Sequence, residues 1–356
     1  MKAWPDRRIL ELFGIESPII LAPMAGPGTV ELAIAVSEAG GLGSLPCALL
    51  SVSEIRTALE TIRRRTSRPI NLNFFCHKPP AYDRERDIAW RALLKPYYLE
   101  LGLDPDAPLA APSRRPFDSE SCAIVEELRP EVVSFHFGLP AQDLLDRVKA
   151  TRARVIGSAT TVREARWLEA HGCDAVIAMG LEAGGHRGNF LSDDMARQVG
   201  TFALVPQIAD AIKVPVIAAG GIADVRGIVA AVVLGASAVQ IGTAYLFCPE
   251  ARVPRQHLEA LMNSVDDDTM ITNVFSGRPA RGIANRLMLE VGPMASSAPA
   301  FPLAGSAVGP LRAKTESAGS KDFMNLWSGQ AARLARRGMS AGELTRTLAA
   351  DALARL

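Results

Sequence analysis

A histidine flanked by glycines is the feature of this sequence that most strongly suggests chemistry. The segment Gly184-Gly185-His186-Arg187-Gly188 follows the apolar run 174–180, which is typical of a fully buried strand. Glycine weakens local structure unless the backbone must turn sharply or lie against a ligand. We therefore expect this loop to bring the His186 imidazole close to a bound group. A loop histidine without a role is the weaker alternative, because glycine flanks it on both sides.

Two further glycine turns follow the last two candidate strands. They read Ala218-Ala219-Gly220-Gly221-Ile222 and Gln240-Ile241-Gly242-Thr243. Glycine leaves backbone N–H groups accessible, and successive N–H groups at a helix N-terminus attract anions. These glycines could instead only tighten the turns between strand and helix. The presence of two such turns on neighbouring strands favours phosphate binding.

Other candidate residues end strands, where a parallel barrel forms its active site. Met24, in Ala22-Pro23-Met24, either packs against a planar cofactor or fills the core, and composition alone favours the core. Asn73 is either a ligand contact or a local turn former, and the need of a buried amide for partners favours the ligand. His136 alternates with two phenylalanines and is equally compatible with a buried core and with a site. Ser158 ends another strand.

The remaining histidines and the cysteines give no sign of a metal site. His77, His171 and His257 lie in polar or helical contexts and are expected at the surface. No carboxylate or cysteine cluster has the spacing of metal ligands. Five scattered cysteines without a C-x-x-C pair indicate reduced thiols, no structural zinc and a cytoplasmic protein.

Short apolar runs alternate with segments of helical periodicity along most of the chain. Continuously apolar strands that alternate with helices predict a parallel sheet buried on both faces. Eight such units in roughly 250 residues predict an α/β fold of the (β/α)8 TIM-barrel type. A doubly wound open sheet is the alternative, but no G-x-G-x-x-G follows the first strand. The candidate strands are Ile19–Pro23, Leu42–Leu45, Ile70–Phe75, Val132–Phe137, Val155–Ser158, Ala175–Met179, Val214–Ala219 and Ala238–Ile241. Candidate helices between them include Val30–Glu38, Val52–Arg64, Pro140–Ala150, Val162–Ala170 and Thr201–Ile212.

Two regions interrupt this alternation and suggest how the chain is organised. Residues 1–78 and 121–253 are expected to form the barrel. Residues 79–120, with a helical patch at Arg84–Leu94, are too long for a simple loop and predict a helical cap inserted after the third strand. Residues 254–356 contain no convincing strand and predict a mainly helical segment that covers the active-site side and packs on the barrel. Its end, 329–356, resembles two amphipathic helices separated at 338–340.

Composition excludes several classes of function. The chain has 356 residues, 48% of them hydrophobic, and its 39 basic and 38 acidic residues give a net charge of +1. Such a balance does not predict binding to nucleic acid or to an anionic membrane. The first residues lack the apolar stretch of a signal peptide. The apolar stretch 227–246 contains Gly235, Gln240 and Gly242, so it predicts a helix followed by a strand instead of a membrane helix.

Taken together, these motifs resemble those of the nitronate monooxygenase family, formerly called 2-nitropropane dioxygenases. The resemblance extends from about Pro18 to Phe247 and continues through two C-terminal stretches. The matching segments are Pro18-Ile19-Ile20-Leu21-Ala22-Pro23-Met24-Ala25, Ser158-Ala159-Thr160-Thr161, Leu181-Glu182-Ala183-Gly184-Gly185-His186-Arg187-Gly188, Ala219-Gly220-Gly221-Ile222, Gly282-Ile283-Ala284-Asn285-Arg286 and Leu326-Trp327-Ser328-Gly329-Gln330.

The resemblance implies an FMN-dependent barrel enzyme. It would oxidise alkyl nitronates such as propionate 3-nitronate, and also nitroalkanes, with O2 to carbonyl compounds and nitrite through a flavin semiquinone. His186 matches the active-site histidine of the family, and His136 and Phe301 are expected in the substrate pocket. Some members have tyrosines where this chain reads Ala300-Phe301-Pro302-Leu303. The residues implied to bind FMN are Ala22, Pro23, Met24, Asn73, Ser158, Gly185, Gly220, Gly221, Gln240, Gly242 and Thr243.

Three other functions are compatible with the same residues. An NAD(P)H-dependent flavin reductase acting on quinones or enoyl thioesters could use the same barrel. A flavin-free lyase or isomerase could bind the phosphate of its own substrate at the glycine turns. A flavin carrier without catalytic activity would bind FMN and turn over neither nitronates nor NAD(P)H.

Overall fold

The structure, a computed structural model, describes residues 3–111 and 114–356. A barrel of parallel strands forms its centre. The strands are almost entirely buried, as expected for continuously apolar segments covered on the outside by helices. The barrel strands are β1 (Ile19–Leu21), β2 (Gly43–Pro46), β3 (Ile70–Phe75), β4 (Val132–His136), β5 (Arg154–Ala159), β6 (Ala175–Met179), β8 (Val216–Ala219) and β9 (Ala238–Ile241), and β7 (Gly185–His186) lies outside the barrel.

Hydrogen bonds between the first two strands close the barrel. The strand order is β1-β9-β8-β6-β5-β4-β3-β2, with parallel pairing throughout. The Leu21 N–H donates to the Leu42 carbonyl at 2.9 Å, and the Leu42 N–H donates to the Ile19 carbonyl at 2.9 Å. Each of the eight strands expected from the sequence is present, so the prediction of a (β/α)8 barrel is confirmed.

The helices surround this barrel, and the last helix of the chain completes their ring. Helix α13 packs against α2 and α9 and buries Leu344, Leu348 and Ala352 there. It therefore takes the place of the helix that would follow β9. In chain order the helices are α1 (Arg8–Phe13), α2 (Val30–Glu38), α3 (Val52–Arg65), α4 (Arg84–Glu100), α5 (Ser119–Leu128), α6 (Gln142–Ala150), α7 (Val162–Ala170), α8 (Thr201–Ala211), α9 (Val225–Val233), α10 (Arg255–Asn263), α11 (Arg286–Val291), α12 (Ala304–Ser317) and α13 (Ala341–Arg355).

Local sequence signals explain where several of these helices begin and end. Ser51 and Glu54 form a capping box at the start of α3, in which each side chain accepts a hydrogen bond from the backbone N–H of the other. Gly40, Gly172 and Gly235 follow helices with φ of 85°, 93° and 98°. Glycine reaches this left-handed region without the steric penalty of a Cβ, so the chain can turn at once into the next strand.

A second apolar core lies outside the barrel and joins the insertion to the C-terminal segment. Helix α4 packs against α12, and it is longer than the helical patch expected from the sequence. The Trp90 indole N–H donates to the Ala304 carbonyl at 3.2 Å, and the Tyr98 hydroxyl donates to the Ala307 carbonyl at 2.6 Å. Phe323, Leu311 and Met288 lie in the same core. The two regions that interrupt the alternation of strands and helices are thus packed together.

The expectation that no strand follows residue 254 is wrong. Strands β10 (Thr269–Thr272) and β11 (Ala280–Ile283) pair antiparallel, and β11 also pairs with β7. The segment around His186 is therefore partly strand. Strand β11 was not predicted because it contains Arg281, and a charged residue is unusual in a buried strand. The Arg281 guanidinium donates to the Leu181 carbonyl at 2.9 Å and to the Thr269 hydroxyl at 3.0 Å, so these buried N–H groups have acceptors.

Two other expectations concern the segment 329–356 and the apolar stretch 227–246. Two amphipathic helices were expected over 329–356, but the structure has a short 3-10 helix at Ala332–Leu334 and then α13, so this expectation is wrong. The apolar stretch 227–246 divides into the end of α9, strand β9 and the start of a 3-10 helix at Thr243–Phe247, as expected. Within residues 3–111 and 114–356, no helix combines the length and the apolar character required to cross a membrane.

Candidate active site

A large cavity opens at the carboxyl ends of the barrel strands. Its volume is about 1000 Å³, at the upper end of the range of roughly 300–1,000 Å³ that small-molecule and cofactor sites occupy. The structure brings nearly all of the candidate residues to its wall. They are Ala22, Pro23, Met24, Asn73, His136, Ser158, Gly185, His186, Gly220, Gly221, Gln240, Gly242 and Thr243.

Phe301 is the exception among the candidates. It is buried, and the neighbouring Pro302 lines the cavity in its place. The Phe301 ring nevertheless lies 5.2 Å from the His186 ring between centroids. Together with Phe75 and Phe137 it forms an aromatic wall behind His186. Phe301 therefore supports the position of His186 through packing.

The glycine turn after β8 has the properties of an anion site. Gly220 and Gly221 have φ of 109° and 70°, a region that side chains with a Cβ rarely adopt. A Cβ at Gly220 would lie 2.9 Å from the Ala183 nitrogen, so the backbone passes too close to its neighbour for any other residue. Gly221 makes no hydrogen bond to another described residue. Its N–H is therefore available to a ligand.

The turn after β9 is equally compact. A Cβ at Gly242 would lie 3.3 Å from the Ala22 Cβ and 3.7 Å from the Met24 sulfur. The Thr243 hydroxyl accepts a hydrogen bond from the Gly329 N–H at 2.9 Å, which ties the turn to the C-terminal segment. The Gln240 Oε1 atom is buried without a hydrogen-bond partner among the described residues. A buried amide oxygen of this kind normally has a donor, so its position at the cavity wall points to a ligand.

His186 is held by a side chain that sequence analysis did not identify. Its Nε2 atom lies 2.9 Å from the Ser276 Oγ atom. Ser276 follows β10 and is 1% exposed. The Nδ1 atom of His186 makes no hydrogen bond to the described residues, so it is free for a substrate. The Trp327 ring lies 5.4 Å from the His186 ring between centroids and also lines the cavity.

His136 belongs to the site and supports it through a defined tautomer. Its Nε2 atom lies 3.1 Å from the His186 carbonyl oxygen, and its Nδ1 atom lies 3.0 Å from the Ser158 Oγ atom. A carbonyl oxygen can only accept, so Nε2 must be protonated and donate. In neutral His136, Nδ1 then accepts from the Ser158 hydroxyl. This chain of hydrogen bonds connects the His186 backbone to β4 and β5, and His136 lies at the cavity wall.

The glycines around His186 serve different purposes. A Cβ at Gly184 would lie 2.5 Å from the Gly329 nitrogen, and one at Gly188 would lie 3.0 Å from the His136 Cε1 and Ser158 Cβ atoms. These two glycines therefore allow close packing of the chain on itself. Gly185, with φ of 73°, has open space beside it and lines the cavity. Close approach to a ligand is thus possible at Gly185.

The electrostatic environment keeps the His186 imidazole uncharged. Burial lowers the pKa of His186 well below its ordinary value of 6.5, and the nearby Arg114, His136, Arg278 and His77 lower it further. Burial likewise lowers the pKa of His136 to about 3. Both rings are therefore neutral near pH 7. A neutral ring can donate one hydrogen bond and accept another, but it resists taking up a proton.

A buried arginine anchors the segment that follows His186. Arg187 is fully buried, and its guanidinium donates to the Gly180 carbonyl at 2.8 Å and to the Met179 carbonyl at 3.0 Å. It also donates to the Gln198 Oε1 atom at 2.9 Å. These bonds tie the His186 segment to the end of β6, which fixes the distance between His186 and the barrel.

Two histidines expected at the surface are buried, so that expectation is wrong. His77 is 7% exposed and packs edge-on against Phe301, with 4.8 Å between ring centroids. His257 is 5% exposed, and its Nε2 atom donates to the Trp327 carbonyl at 3.1 Å. Both are covered by segments distant in sequence, which local context does not reveal. His171 is exposed, as expected, and stacks on Trp167.

Comparison with known proteins gives a consistent result over the whole chain. The sequence model of the nitronate monooxygenase family matches residues 6–351. A nitronate monooxygenase of Pseudomonas aeruginosa is 42% identical over 343 residues, which cover 96% of this chain and 97% of that protein. A nitronate monooxygenase of Paraburkholderia phytofirmans is 40% identical over 344 residues, which cover 96% of this chain and 94% of that protein.

Solved structures agree with the sequence comparison. A nitroalkane oxidase from Streptomyces ansochromogenes superimposes with a TM-score of 0.86 at 36% identity, covering 97% of each chain. FabK from Thermotoga maritima superimposes less well, with a TM-score of 0.74 at 27% identity, covering 98% of this chain and 96% of that chain. The sequence motifs, the barrel and the full-length matches lead to one conclusion: the chain belongs to the nitronate monooxygenase family.

Proposed function

We propose that this protein is an FMN-dependent enzyme that oxidises alkyl nitronates with O2 to carbonyl compounds and nitrite. The observation that most directly supports this proposal is the position of His186. Its neutral imidazole lies in the wall of a large cavity that glycine turns suited to a phosphate also line. Membership of the nitronate monooxygenase family supplies the reaction class.

The residues present fit FMN on three independent grounds. The turns at Gly220-Gly221 and Gly242-Thr243 would bind the phosphate, because both line the cavity without a Cβ at their glycines and the Gly221 N–H has no partner among the described residues. Met24 would pack against the flavin rings with its polarisable sulfur. The orphaned Gln240 Oε1 atom would accept a hydrogen bond from the cofactor. When bound, the flavin supplies the redox chemistry, and the protein supplies orientation and electrostatics.

His186 orients the substrate through its free nitrogen. A nitronate is an anion with two oxygen acceptors, and Nδ1–H of His186 would donate to one of them. The Ser276 hydroxyl would then donate its one hydrogen to Nε2 at 2.9 Å instead of to the Arg278 carbonyl at 3.4 Å. The aromatic wall of Phe75, Phe137 and Phe301 excludes water from this side of the ring and keeps it in place.

The low pKa of His186 makes nitronates better substrates than neutral nitroalkanes. A nitroalkane must first lose its α-proton, and His186 would have to accept it. Burial and neighbouring positive charges destabilise the imidazolium, so His186 is a weak base. A nitronate has already lost that proton and requires only a hydrogen-bond donor. We therefore expect turnover of neutral nitroalkanes to be much slower.

The insertion and the C-terminal segment are proposed to act together as a cap. Ala110, Ala111 and Arg114 line the cavity from the insertion, and Phe275 and Trp327 line it from the C-terminal segment. These regions share the second apolar core. Such a cap would shield the reacting atoms from water, which strengthens electrostatic interactions at the site.

An absorption spectrum followed by O2 consumption tests the proposal. The purified protein should show a flavin spectrum, release FMN on denaturation, and consume O2 with propionate 3-nitronate while forming nitrite. Rapid flavin bleaching by NAD(P)H without O2, together with no nitronate turnover, would instead indicate a reductase. Colourless protein that stays colourless with added FMN would favour the flavin-free lyase or isomerase. A yellow protein inactive with both substrates would be a flavin carrier.

A further inference from the structure

An arginine without a counterion lies in the wall of the cavity. Arg114, in the loop between α4 and α5, lines the cavity together with His186. Its guanidinium carbon lies 5.9 Å from the centre of the Phe301 ring, whose other neighbours include His186 at 5.2 Å. Arg114 makes no ion pair and no hydrogen bond with the described residues. Arg114 and the candidate active-site histidine thus both lie beside the Phe301 ring.

Several other arginines satisfy their charge or their donors, and Arg252, which also lines the cavity without a side-chain partner among the described residues, is exposed to solvent. Arg115, the next residue, has its guanidinium 3.4 Å from the Glu120 carboxylate. The buried Arg187 and Arg281 donate to backbone carbonyls. Arg114 has neither kind of partner among residues 3–111 and 114–356, and burial together with the charge of Arg312 lowers its pKa. A partly buried guanidinium without these acceptors is less favourable than a paired one, and an anion at this point would stabilise it.

In the proposed function the nitronate group is bound at His186, which leaves Arg114 for another negative charge. We propose that Arg114 binds a second negative charge on the substrate, a carboxylate, and thereby selects carboxylated nitronates over simple alkyl nitronates. A guanidinium matches the two oxygens of a carboxylate with parallel N–H donors. This inference rests on the proposed function of the cavity.

Two substrates that differ in one charge provide the test. Propionate 3-nitronate has the carboxylate, and 3-methylbutyl 1-nitronate has an uncharged group of the same branched shape. The loss of a charge-assisted hydrogen bond should lower kcat/KM of the Arg114→Gln holoenzyme about 10- to 100-fold for the first substrate. The second substrate should be turned over as by the wild type. Arg115→Gln is the matched control and should change neither.

A binding measurement separates this inference from the proposed reaction. Titration of the holoenzyme with 3-nitropropionate at low temperature, followed by the flavin absorption spectrum before the slow turnover of this nitroalkane, gives a Kd that does not depend on catalysis. We expect Arg114→Gln to raise this Kd about 10- to 100-fold, Arg114→Lys to restore part of the affinity, and Arg115→Gln to have no effect. Absence of turnover with every nitronate would refute the proposed function, while the titration would still test Arg114. If Arg114→Gln affects both nitronates equally, or changes neither kcat/KM nor Kd, the inference is wrong.

Discussion

Acid sensitivity of folding should depend measurably on His257. This side chain is 5% exposed, and burial lowers its pKa from 6.5 to about 4, although its hydrogen bond to the Trp327 carbonyl opposes the shift. The pKa is lower in the folded state than in the unfolded state. Above pH 6.5 the ring is neutral in both states and contributes no pH dependence. As the pH falls from 6.5 toward 4, only the unfolded state takes up the proton, so stability is lost.

The size of this effect follows from the pKa shift. Each unit of pH between the two pKa values costs about 1.4 kcal/mol of folding free energy. At about pH 5, roughly 1.5 units below the unfolded pKa, His257 should therefore destabilise the fold by about 2 kcal/mol relative to pH 7.5. His257→Gln removes the titrating group and retains a side-chain N–H that can donate to Trp327.

Urea unfolding at both pH values measures the effect. At equal FMN occupancy, the wild type should lose about 2 kcal/mol more unfolding free energy between pH 7.5 and 5 than His257→Gln loses. His171→Gln is the matched control, because the His171 ring is exposed. An equal loss in the wild type and in His257→Gln would refute the reasoning, since it would mean that the buried ring takes up its proton without penalty.

Three further changes test the site. His186→Ala should retain FMN but lower kcat for propionate 3-nitronate by about 100-fold or more, as the loss of a preorganised donor does elsewhere; unchanged O2 consumption would remove His186 from the mechanism. Gly221→Asp should lose FMN on gel filtration while Gly221→Ala retains more of it, because both are strained at φ of 70° and only aspartate adds a negative charge beside the phosphate. Equal flavin content in the two variants would contradict this placement. Ser276→Ala should lower kcat by about 10-fold, and Ser276→Thr should restore most of it; an unaffected Ser276→Ala would show that the 2.9 Å contact does not orient the ring.

The barrel could be predicted from the sequence because its signals are local. The strands Ile70–Phe75 and Ala175–Met179 were found with their observed bounds, since the first is apolar apart from Asn71 and Asn73 and the second is apolar throughout. The helices Val30–Glu38 and Val162–Ala170 were also found with their observed bounds, from the helical spacing of their apolar residues, and the Thr29 and Thr161 side chains cap their first turns. Parallel strands place their carboxyl ends at one face, so the strand-end candidates were brought together by the fold itself.

The support for His186 could not be predicted, because it comes from distant parts of the chain. Ser276 is separated from His186 by 90 residues. It follows β10, whose sequence lacks the apolar pattern typical of a strand. Arg114 follows a run rich in proline and alanine, and nothing in its local context distinguishes it from the solvent-exposed Arg115. The burial of His77 and His257 likewise depends on packing between segments that share no sequence pattern.

Helix α13, which closes the ring of helices, is synthesised after the two helices that it packs against, α2 and α9. While the ribosome is still making residues 341–355, the faces of α2 and α9 that α13 covers remain exposed to solvent. The Tyr245 hydroxyl lies 2.7 Å from the Thr345 hydroxyl in α13. This hydrogen bond therefore forms only after α13 has been synthesised. The barrel therefore completes its wall only after residues 341–355 have been made, and a premature stop codon near residue 340 would expose α2 and α9 and remove the partner of Tyr245.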